Sequence, residues 1–270
     1  MLEVQAKQQK NHYDTLSVPR NASRREIQAS FRRLVKIYHP DKNPGRVEWA
    51  ETRMRELLQA YETVSDDQRR VSYDREVRSA EARASFAARM AKKKDDPAAQ
   101  SRLVLHYLLQ GRFEEALELH ERLRSRRPTF DLASHLDECD YRDTLFLLGE
   151  AYENRRQWRT AVRFYQEAYE REKSGPRMRY YFDEVRDRLR VLLSQRLVRG
   201  LAPEDAIKTY QRALELDIGK RESALIYKKI ASLEDRLGRR QEAVKALDKA
   251  KNLCPGMRAI ETMRKRIAGA

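Results

Sequence analysis

The chain has 270 residues, of which 37% are charged, and its formal net charge is +15. It contains only 9 Gly and 8 Pro, and a low content of both favours helices. No stretch approaches the roughly 18 consecutive apolar residues of a membrane span, and residues 1–10 lack the apolar core of a secretory signal. We therefore expect an all-α protein of one or two domains that resides in the cytoplasm.

Neither the positive charge nor the two cysteines of the sequence require a special binding site. Clustered Lys and Arg can bind nucleic-acid phosphates, but here the cations alternate with Glu and Asp along the predicted helices. That alternation favours a solvated, salt-bridged surface. Cys139 and Cys254 have no Cys or His partner at metal-ligand spacing, so we expect no metal, no disulfide and no cofactor.

Residues 11–77 carry three helical patterns that turn residues separate. A short first helix over 12–18 should stop at Pro19. Ser23 and Glu26 form a capping box for the second helix, and the third is predicted over 47–65. Matching apolar stripes on the two long helices predict an antiparallel hairpin. The tripeptide His39-Pro40-Asp41 lies at its tip, in a loop with two prolines and a glycine.

A set of short motifs runs from Tyr13 to Asp74: Tyr13-Asp14-Thr15-Leu16, Ala22-Ser23, Glu26-Ile27, Phe31-Arg32-Arg33-Leu34, Tyr38-His39-Pro40-Asp41-Lys42-Asn43-Pro44, Ala60-Tyr61-Glu62, Ser65-Asp66 and 70–74. Through these motifs the region resembles the J-domain family. Ser17 stands where the family usually has Gly, and Met54 where it usually has Phe, while Gln28 and Ile37 replace residues that are often basic.

The resemblance implies a co-chaperone that activates the ATPase of a DnaK-class heat-shock chaperone and performs no bond chemistry itself. The loop and the basic second helix would dock on the chaperone's nucleotide-binding domain and linker. Pro40 should fix the loop, Asp41 should form a charge-assisted bond with an arginine of the chaperone, and His39 should brace the turn. The predicted docking residues are His39, Pro40, Asp41, Arg32, Arg33, Lys36, Lys42 and Asn43.

Residues 78–96 predict a helical linker. Residues 75–94 are rich in Ala, Arg and Glu and contain neither Gly nor Pro, which favours one continuous, semi-rigid helix. The Gly- and Phe-rich stretch and the zinc module of other J-proteins are both absent from the sequence. Asp95-Asp96-Pro97 indicates the start of the next helix.

Residues 97–257 carry an internal repeat anchored on Ala116, Ala161, Ala206 and Ala243. With a unit of about 34 residues, the frames are 97–130, 142–175, 187–220 and 224–257. Val104, Gly149, Ser194 and Ala231 then share a second small position. The pattern resembles a tetratricopeptide repeat array, in which small residues let two antiparallel helices approach.

Three segments outside these frames complete the prediction. The spacers at 131–141 and 176–186 should lengthen helices rather than form loops. An apolar stripe should run through residues 176–198. Residues 258–270 should form a capping helix over the last repeat.

The repeat groove is expected to bind an apolar or acidic segment of a client or target protein. The Lys and Asn positions of a carboxylate clamp, which binds chaperone tails ending in a free acid, are not filled in any of these frames. We assign Arg188, Gln195, Lys228 and Lys229 to the groove instead.

The sequence therefore predicts a class C J-protein, in which the repeats select a client and the J-domain recruits the chaperone. One alternative is a binding scaffold with a vestigial J-domain, although the intact His39-Pro40-Asp41 argues against it. A second is a basic nucleic-acid-binding protein, which requires the cations to cluster on one surface. An enzyme is the least expected class, because His106, His120 and His135 lie on the repeats without a nucleophile or an acid partner.

Overall fold

The computed structural model describes residues 11–175, 179–216 and 218–268, and every regular element in these ranges is helical. The prediction of an all-α fold is confirmed. The chain divides into two compact units, and the boundary between them falls between Ala88 and Arg89. Among the described helices, none is long and apolar enough to cross a membrane.

The first unit is built on four helices. These are α1 (His12–Thr15), α2 (Arg24–Tyr38), α3 (Val47–Val64) and α4 (Asp67–Lys92), with a 3-10 turn at Pro40–Lys42 between α2 and α3. The capping box forms as predicted: Ser23 Oγ accepts from the Glu26 backbone N–H, and the Glu26 carboxylate accepts from the Ser23 N–H at 2.6 Å. The core contains Tyr13, Leu16, Ala22, Ile27, Leu34, Leu57, Ala60 and Val64.

Helix α1 is shorter than the sequence predicts. It ends at Thr15, three residues before the expected end, because Ser17 takes a left-handed conformation with φ of 52°. A residue with positive φ cannot continue a right-handed helix. This is the position at which the J-domain family usually has Gly.

Helix α4 begins earlier than the linker prediction, and it has no break at 77–78. It starts at Asp67 and ends at Lys92, two residues before the predicted end. Its first half packs on α1, where Tyr13 Oη donates to Asp74 Oδ1 at 2.6 Å and Arg70 Nε donates to Tyr13 Oη at 3.2 Å. The ring of Tyr73 stacks on His12 with centroids 4.4 Å apart. The first half of α4 is thus part of the core of the first unit.

The second unit consists of helix pairs followed by a single helix. The helices are α5 (Pro97–Leu109), α6 (Phe113–Arg126), α7 (Glu138–Asn154), α8 (Trp158–Ser174), α9 (Arg179–Val191), α10 (Pro203–Leu214), α11 (Lys220–Arg236), α12 (Arg240–Leu253) and α13 (Arg258–Ala268). Asp96 caps α5 by accepting from the backbone N–H groups of Ala98 and Ala99. All four anchoring alanines are buried, as close packing of paired helices requires: Ala116, Ala161, Ala206 and Ala243.

Three of the turns within helix pairs close in the same way. Gly111, Arg156 and Gly238 each have positive φ, at 69°, 58° and 75°. In each turn the next residue's N–H donates back to a carbonyl of the preceding helix at 2.9 Å. This left-handed closure satisfies carbonyls at the helix end. Arg156 is the one non-glycine residue of the three.

The two spacers differ from each other. The expectation that residues 131–141 lengthen a helix is wrong for their first half, since Leu132–Ser134 is a 3-10 turn and α7 begins only at Glu138. Asp137 caps α7 with its carboxylate and so sets that start. In the second spacer, α9 begins at Arg179 and places Val185 in the buried stripe. Pro176 and Met178 lie outside the described residues.

Helix α9 continues into a π-helical segment, Leu192–Arg196. The wider turn brings the N–H of Leu197 to the carbonyl of Leu192 at 2.9 Å. Such segments are rare and often occur at functional sites. Sequence periodicity does not distinguish this segment from ordinary α-helix.

Candidate functional site

The loop between α2 and α3 presents its tripeptide on an ordered turn. His39 ends α2 in an extended conformation, and Pro40 occupies the first position of the 3-10 turn. The Asp41 backbone N–H donates to His39 Nδ1 at 3.2 Å, and Asp41 Oδ2 lies 3.5 Å from the same nitrogen. The side chain of Asp41 is nevertheless 88% exposed. The His39 ring therefore fixes the backbone of the turn, while the Asp41 carboxylate remains open to a partner.

Asn43 fastens this loop to the end of α2. Its side-chain amide donates to the carbonyls of Ile37 and His39, at 2.8 and 2.9 Å. The carbonyls at a helix end have no partner within the helix, so one side chain satisfies two of them and fixes the exit of the chain. The position of Asn43 makes it a positioning residue for the loop.

The predicted cations of α2 are exposed and lie along the helix that leads to the loop. Arg32, Arg33 and Lys36 are all exposed. Arg32 donates to the Gln28 carbonyl at 3.3 Å, and Arg33 donates to Ser30 Oγ at 3.1 Å. None of the three forms an ion pair with an acidic residue in the described part of the chain. Their charges are consequently available to an acidic surface.

A cavity of about 380 Å³ lies between α9, its π-helical continuation, α11 and α13. It brings together three of the four residues that the sequence assigned to the groove, namely Gln195, Lys228 and Lys229. Lys229 Nζ donates to the Ser194 carbonyl in the π-helical segment at 3.2 Å. Desolvation of this amine lowers the pKa of Lys229.

Sequence reasoning missed several residues of this cavity. Arg190, Ser194, Ser232 and Met263 also line it. Ser194 was identified only as a small position of the repeat, and Met263 lies on the capping helix α13. Gln195 and Lys229 face the same cavity, and Met263 of α13 contributes a wall that the helical period of α9 and α11 does not indicate.

Arg188 does not line this cavity. Its guanidinium pairs with Glu150 at 2.8 Å, with Glu153 at 3.3 Å and with Glu184 at 3.5 Å. Glu153 also accepts from Tyr165 Oη at 3.0 Å. The structure thus places Arg188 in an internal network that links α7 to α9, where its charge is neutralised.

No group of three or more His, Cys, Asp or Glu side chains in the described ranges is arranged to hold a metal ion. His120 is buried and packs edge-on against Phe164, with centroids 5.8 Å apart. His135 stacks on Phe130 at 5.9 Å. These two histidines pack against aromatic rings.

Comparison with protein families assigns both units. Residues 11–74 match the DnaJ domain, and tetratricopeptide repeat families match residues 144–177, 72–129 and 192–258.

Curated DnaJ proteins match the DnaJ domain of this chain. The DnaJ chaperone proteins of Thermotoga neapolitana and Caldicellulosiruptor saccharolyticus are 46% and 51% identical over 69 and 67 residues. These matches cover 26% and 25% of this chain but only 19% and 17% of the relatives. The DnaJ protein of Chlamydia abortus is 54% identical over 65 residues, which are 24% of this chain and 16% of that protein. The chain therefore spans less than a fifth of the length of these relatives.

A solved structure, BtubC (BKLC) from P. vanneervenii, aligns over 88% of this chain and 93% of its own. Its sequence identity is 19% and its TM-score 0.30. The assignment of the chain rests instead on its motifs, its helix pairs and the family matches. The protein has an N-terminal DnaJ domain followed by tetratricopeptide repeats.

Proposed function

We propose that this protein is a co-chaperone that stimulates ATP hydrolysis by a DnaK-class chaperone while its repeats hold a client or target protein. The observation that carries the proposal is the loop at the end of α2, where Asp41 is 88% exposed and His39 and Asn43 hold the backbone. An ordered loop with a free carboxylate suits docking to another protein better than a purely structural turn.

Two features of the first unit would act at different stages of docking. The exposed cations Arg32, Arg33 and Lys36 would attract an acidic surface of the chaperone and mainly raise the association rate. Asp41 would then form a charge-assisted hydrogen bond with an arginine at the chaperone's nucleotide-binding domain and linker. The protein would activate its partner's ATPase without contributing a catalytic residue of its own.

The cavity in the second unit supports the other half of the proposal. Arg190, Lys228 and Lys229 outnumber Glu222 among the lining residues, which leaves the cavity positive, and Leu225 is 42% exposed. A segment with an acidic side chain followed by an apolar one would match this combination. The Lys229 amine now bonded to the Ser194 carbonyl would reorient toward an incoming carboxylate.

Linking the two activities in one chain would raise the local concentration of chaperone at the client. Such tethering increases effective concentration without any new contact between the two binding sites. The repeats would choose the client, and the DnaJ domain would bring the chaperone to it.

Stimulation of a cognate DnaK-class ATPase by the full chain tests this function. The parent should accelerate steady-state hydrolysis, and Asp41→Asn should abolish the acceleration because an amide cannot form the charge-assisted bond. Asp14→Asn, the same change at another exposed site of the first unit, should leave it intact. Full stimulation by Asp41→Asn would overturn the proposal.

A further inference from the structure

An open groove of about 960 Å³ lies on the second unit, between the turn that joins α7 to α8 and the turn that joins α9 to α10. Four arginines line it: Arg156, Arg159, Arg196 and Arg199. Trp158 lies among them and is partly exposed, and Arg196 is over its ring at 5.7 Å from the centroid. We call this feature the arginine groove.

The arginines of this groove differ from their neighbours in having no acidic partner. Arg155, in the same turn as Arg156, pairs with Glu114 and Glu121. Arg239, in the turn of the last helix pair, pairs with Glu204 and Glu234. By contrast, none of the four groove arginines forms an ion pair with a described acidic residue, and the lining of the groove contains no Asp or Glu.

The backbone at Arg156 is a second, independent observation on this groove. The corresponding turns of the first and last pairs use Gly111 and Gly238, whereas Arg156 has a φ of 58°. A left-handed conformation costs a non-glycine residue about 1–2 kcal/mol. A strained residue at a turn points to a role for its side chain, and this side chain carries one of the four charges.

The local chemistry favours a ligand with several phosphates. Guanidinium groups match phosphate oxygens with two parallel hydrogen bonds. Helix α8 begins at Trp158, and its first residues line the groove, so the positive end of the helix lies there. The side chain of Gln157 makes no capping hydrogen bond at this end. Four unneutralised positive charges in one groove repel each other until an anion binds.

We propose that the arginine groove binds single-stranded nucleic acid, with phosphates on the arginines and a base stacked against Trp158. The aromatic ring between cations favours nucleic acid over an acidic peptide, because unstacked bases pack on indole and guanidinium planes. Single strands are favoured over duplexes, since a duplex keeps its base faces covered. The net charge of +15 would add a long-range attraction. The arginine groove shares no lining residue with the cavity and none with the loop of the first unit.

Tryptophan fluorescence locates the binding site. The chain contains two tryptophans, so full-length Trp49→Phe protein reports on Trp158 alone. Adding a 20-nucleotide oligouridylate should quench this fluorescence as bases stack on the ring. Binding that is measurable by anisotropy without any quenching would place the nucleic acid elsewhere and overturn the assignment.

A charge-matched pair of variants tests the arginines. The triple change Arg156→Gln, Arg159→Gln and Arg199→Gln removes three groove charges. The control Lys251→Gln, Arg258→Gln and Lys265→Gln removes three exposed charges near the end of the chain. Binding of fluorescein-labelled oligouridylate is measured by anisotropy at several salt concentrations.

The logarithm of the association constant falls as the logarithm of the salt concentration rises, and losing three phosphate contacts should make this negative slope shallower by about 2. A fourfold rise in salt would then weaken the binding of the oligonucleotide by the parent about 20-fold more than its binding by the groove variant. The control should keep the parent slope. Equal slopes for parent and groove variant would overturn the proposal. A further contrary result would come from an oligoglutamate. If it quenched Trp158 as strongly as oligouridylate and its binding depended as strongly on the three arginines, the groove would recognise negative charge alone, and the proposal would be overturned.

Discussion

Gly149 and Tyr165 are in direct contact where α7 crosses α8. A Cβ added to Gly149 would lie 2.6 Å from Cε1 of the Tyr165 ring, which is fully buried. The ring cannot move freely, because its hydroxyl donates to the Glu153 carboxylate at 3.0 Å. The glycine therefore permits the close approach of the two helices.

Gly149→Ala should destabilise the second unit. Alanine in a helix interior is ordinarily about 1 kcal/mol better than glycine, so the overpacking has to exceed that gain. Inserting a methyl group into a packed interior costs about 1–3 kcal/mol, with larger values where the neighbour is fixed. We expect a net loss of about 1 kcal/mol in the free energy of unfolding, measured by urea denaturation.

Gly45→Ala is the matched control for this change. An added Cβ at Gly45 has no heavy atom within 4 Å. The free energy of unfolding of the Gly45→Ala variant should therefore stay near that of the parent. An increase in stability for Gly149→Ala would show that Tyr165 yields and that the contact is not restrictive.

Ser17→Gly should stabilise the first unit. Ser17 has a φ of 52°, and a left-handed conformation costs L-residues about 1–2 kcal/mol. Glycine avoids this cost, but it loses more backbone entropy on folding than serine does, and this loss destabilises the folded state by about 0.5–1 kcal/mol. The free energy of unfolding should rise by about 0.5–1 kcal/mol, measured by chemical denaturation. Ser65→Gly, where φ is −83°, should show no gain, and a gain of equal size there would refute the explanation.

Local signals in the sequence predicted the framework of both units. The capping box of Ser23 and Glu26 acts within one helical turn, and the buried small residues follow the helical period, so both are readable without knowing the fold. The left-handed conformation of Ser17 is different, since serine itself gives no such signal. Only the resemblance to a family that usually has Gly there marked the position.

The parts of the site that were missed depend on distant partners. Arg188 was assigned to the groove from its place on α9, but its charge is neutralised by Glu150 and Glu153 of another helix. The arginine groove joins two turns about 40 residues apart in the sequence. The ion pairs of Arg188 and the arginine groove could not be predicted from helical periodicity, because both depend on how the helix pairs pack on one another.

Burial of His120 should make the second unit sensitive to mild acid. Burial, with a smaller effect from the charge of Arg124, lowers the pKa of His120 from its ordinary 6.5 to about 4. Between these values the unfolded chain binds the proton and the folded one does not. The second unit therefore keeps its full stability with respect to His120 above pH 6.5, and it loses this contribution progressively as the pH falls from 6.5 toward 4. Between pH 7 and pH 5 the loss should be about 2 kcal/mol.

The measurement is the free energy of unfolding of the parent and of His120→Gln at both pH values. The variant should lose about 2 kcal/mol less than the parent on acidification. The same change at His135 serves as the control and should preserve the parent's pH dependence. An unchanged pH dependence in His120→Gln would mean that another group accounts for the acid sensitivity.

In the proposed function, the loop at the end of α2 activates a DnaK-class chaperone. His39 Nδ1 holds the turn by accepting the Asp41 backbone N–H at 3.2 Å, and the His39 side chain is about half exposed. The most direct test is the rate of single-turnover ATP hydrolysis by a cognate chaperone with saturating full-length parent or His39→Gln. The parent should accelerate hydrolysis and the variant should not, while the thermal melting of the variant should match that of the parent. Equal acceleration by both proteins, or no acceleration by the parent, would show that this loop does not activate the chaperone.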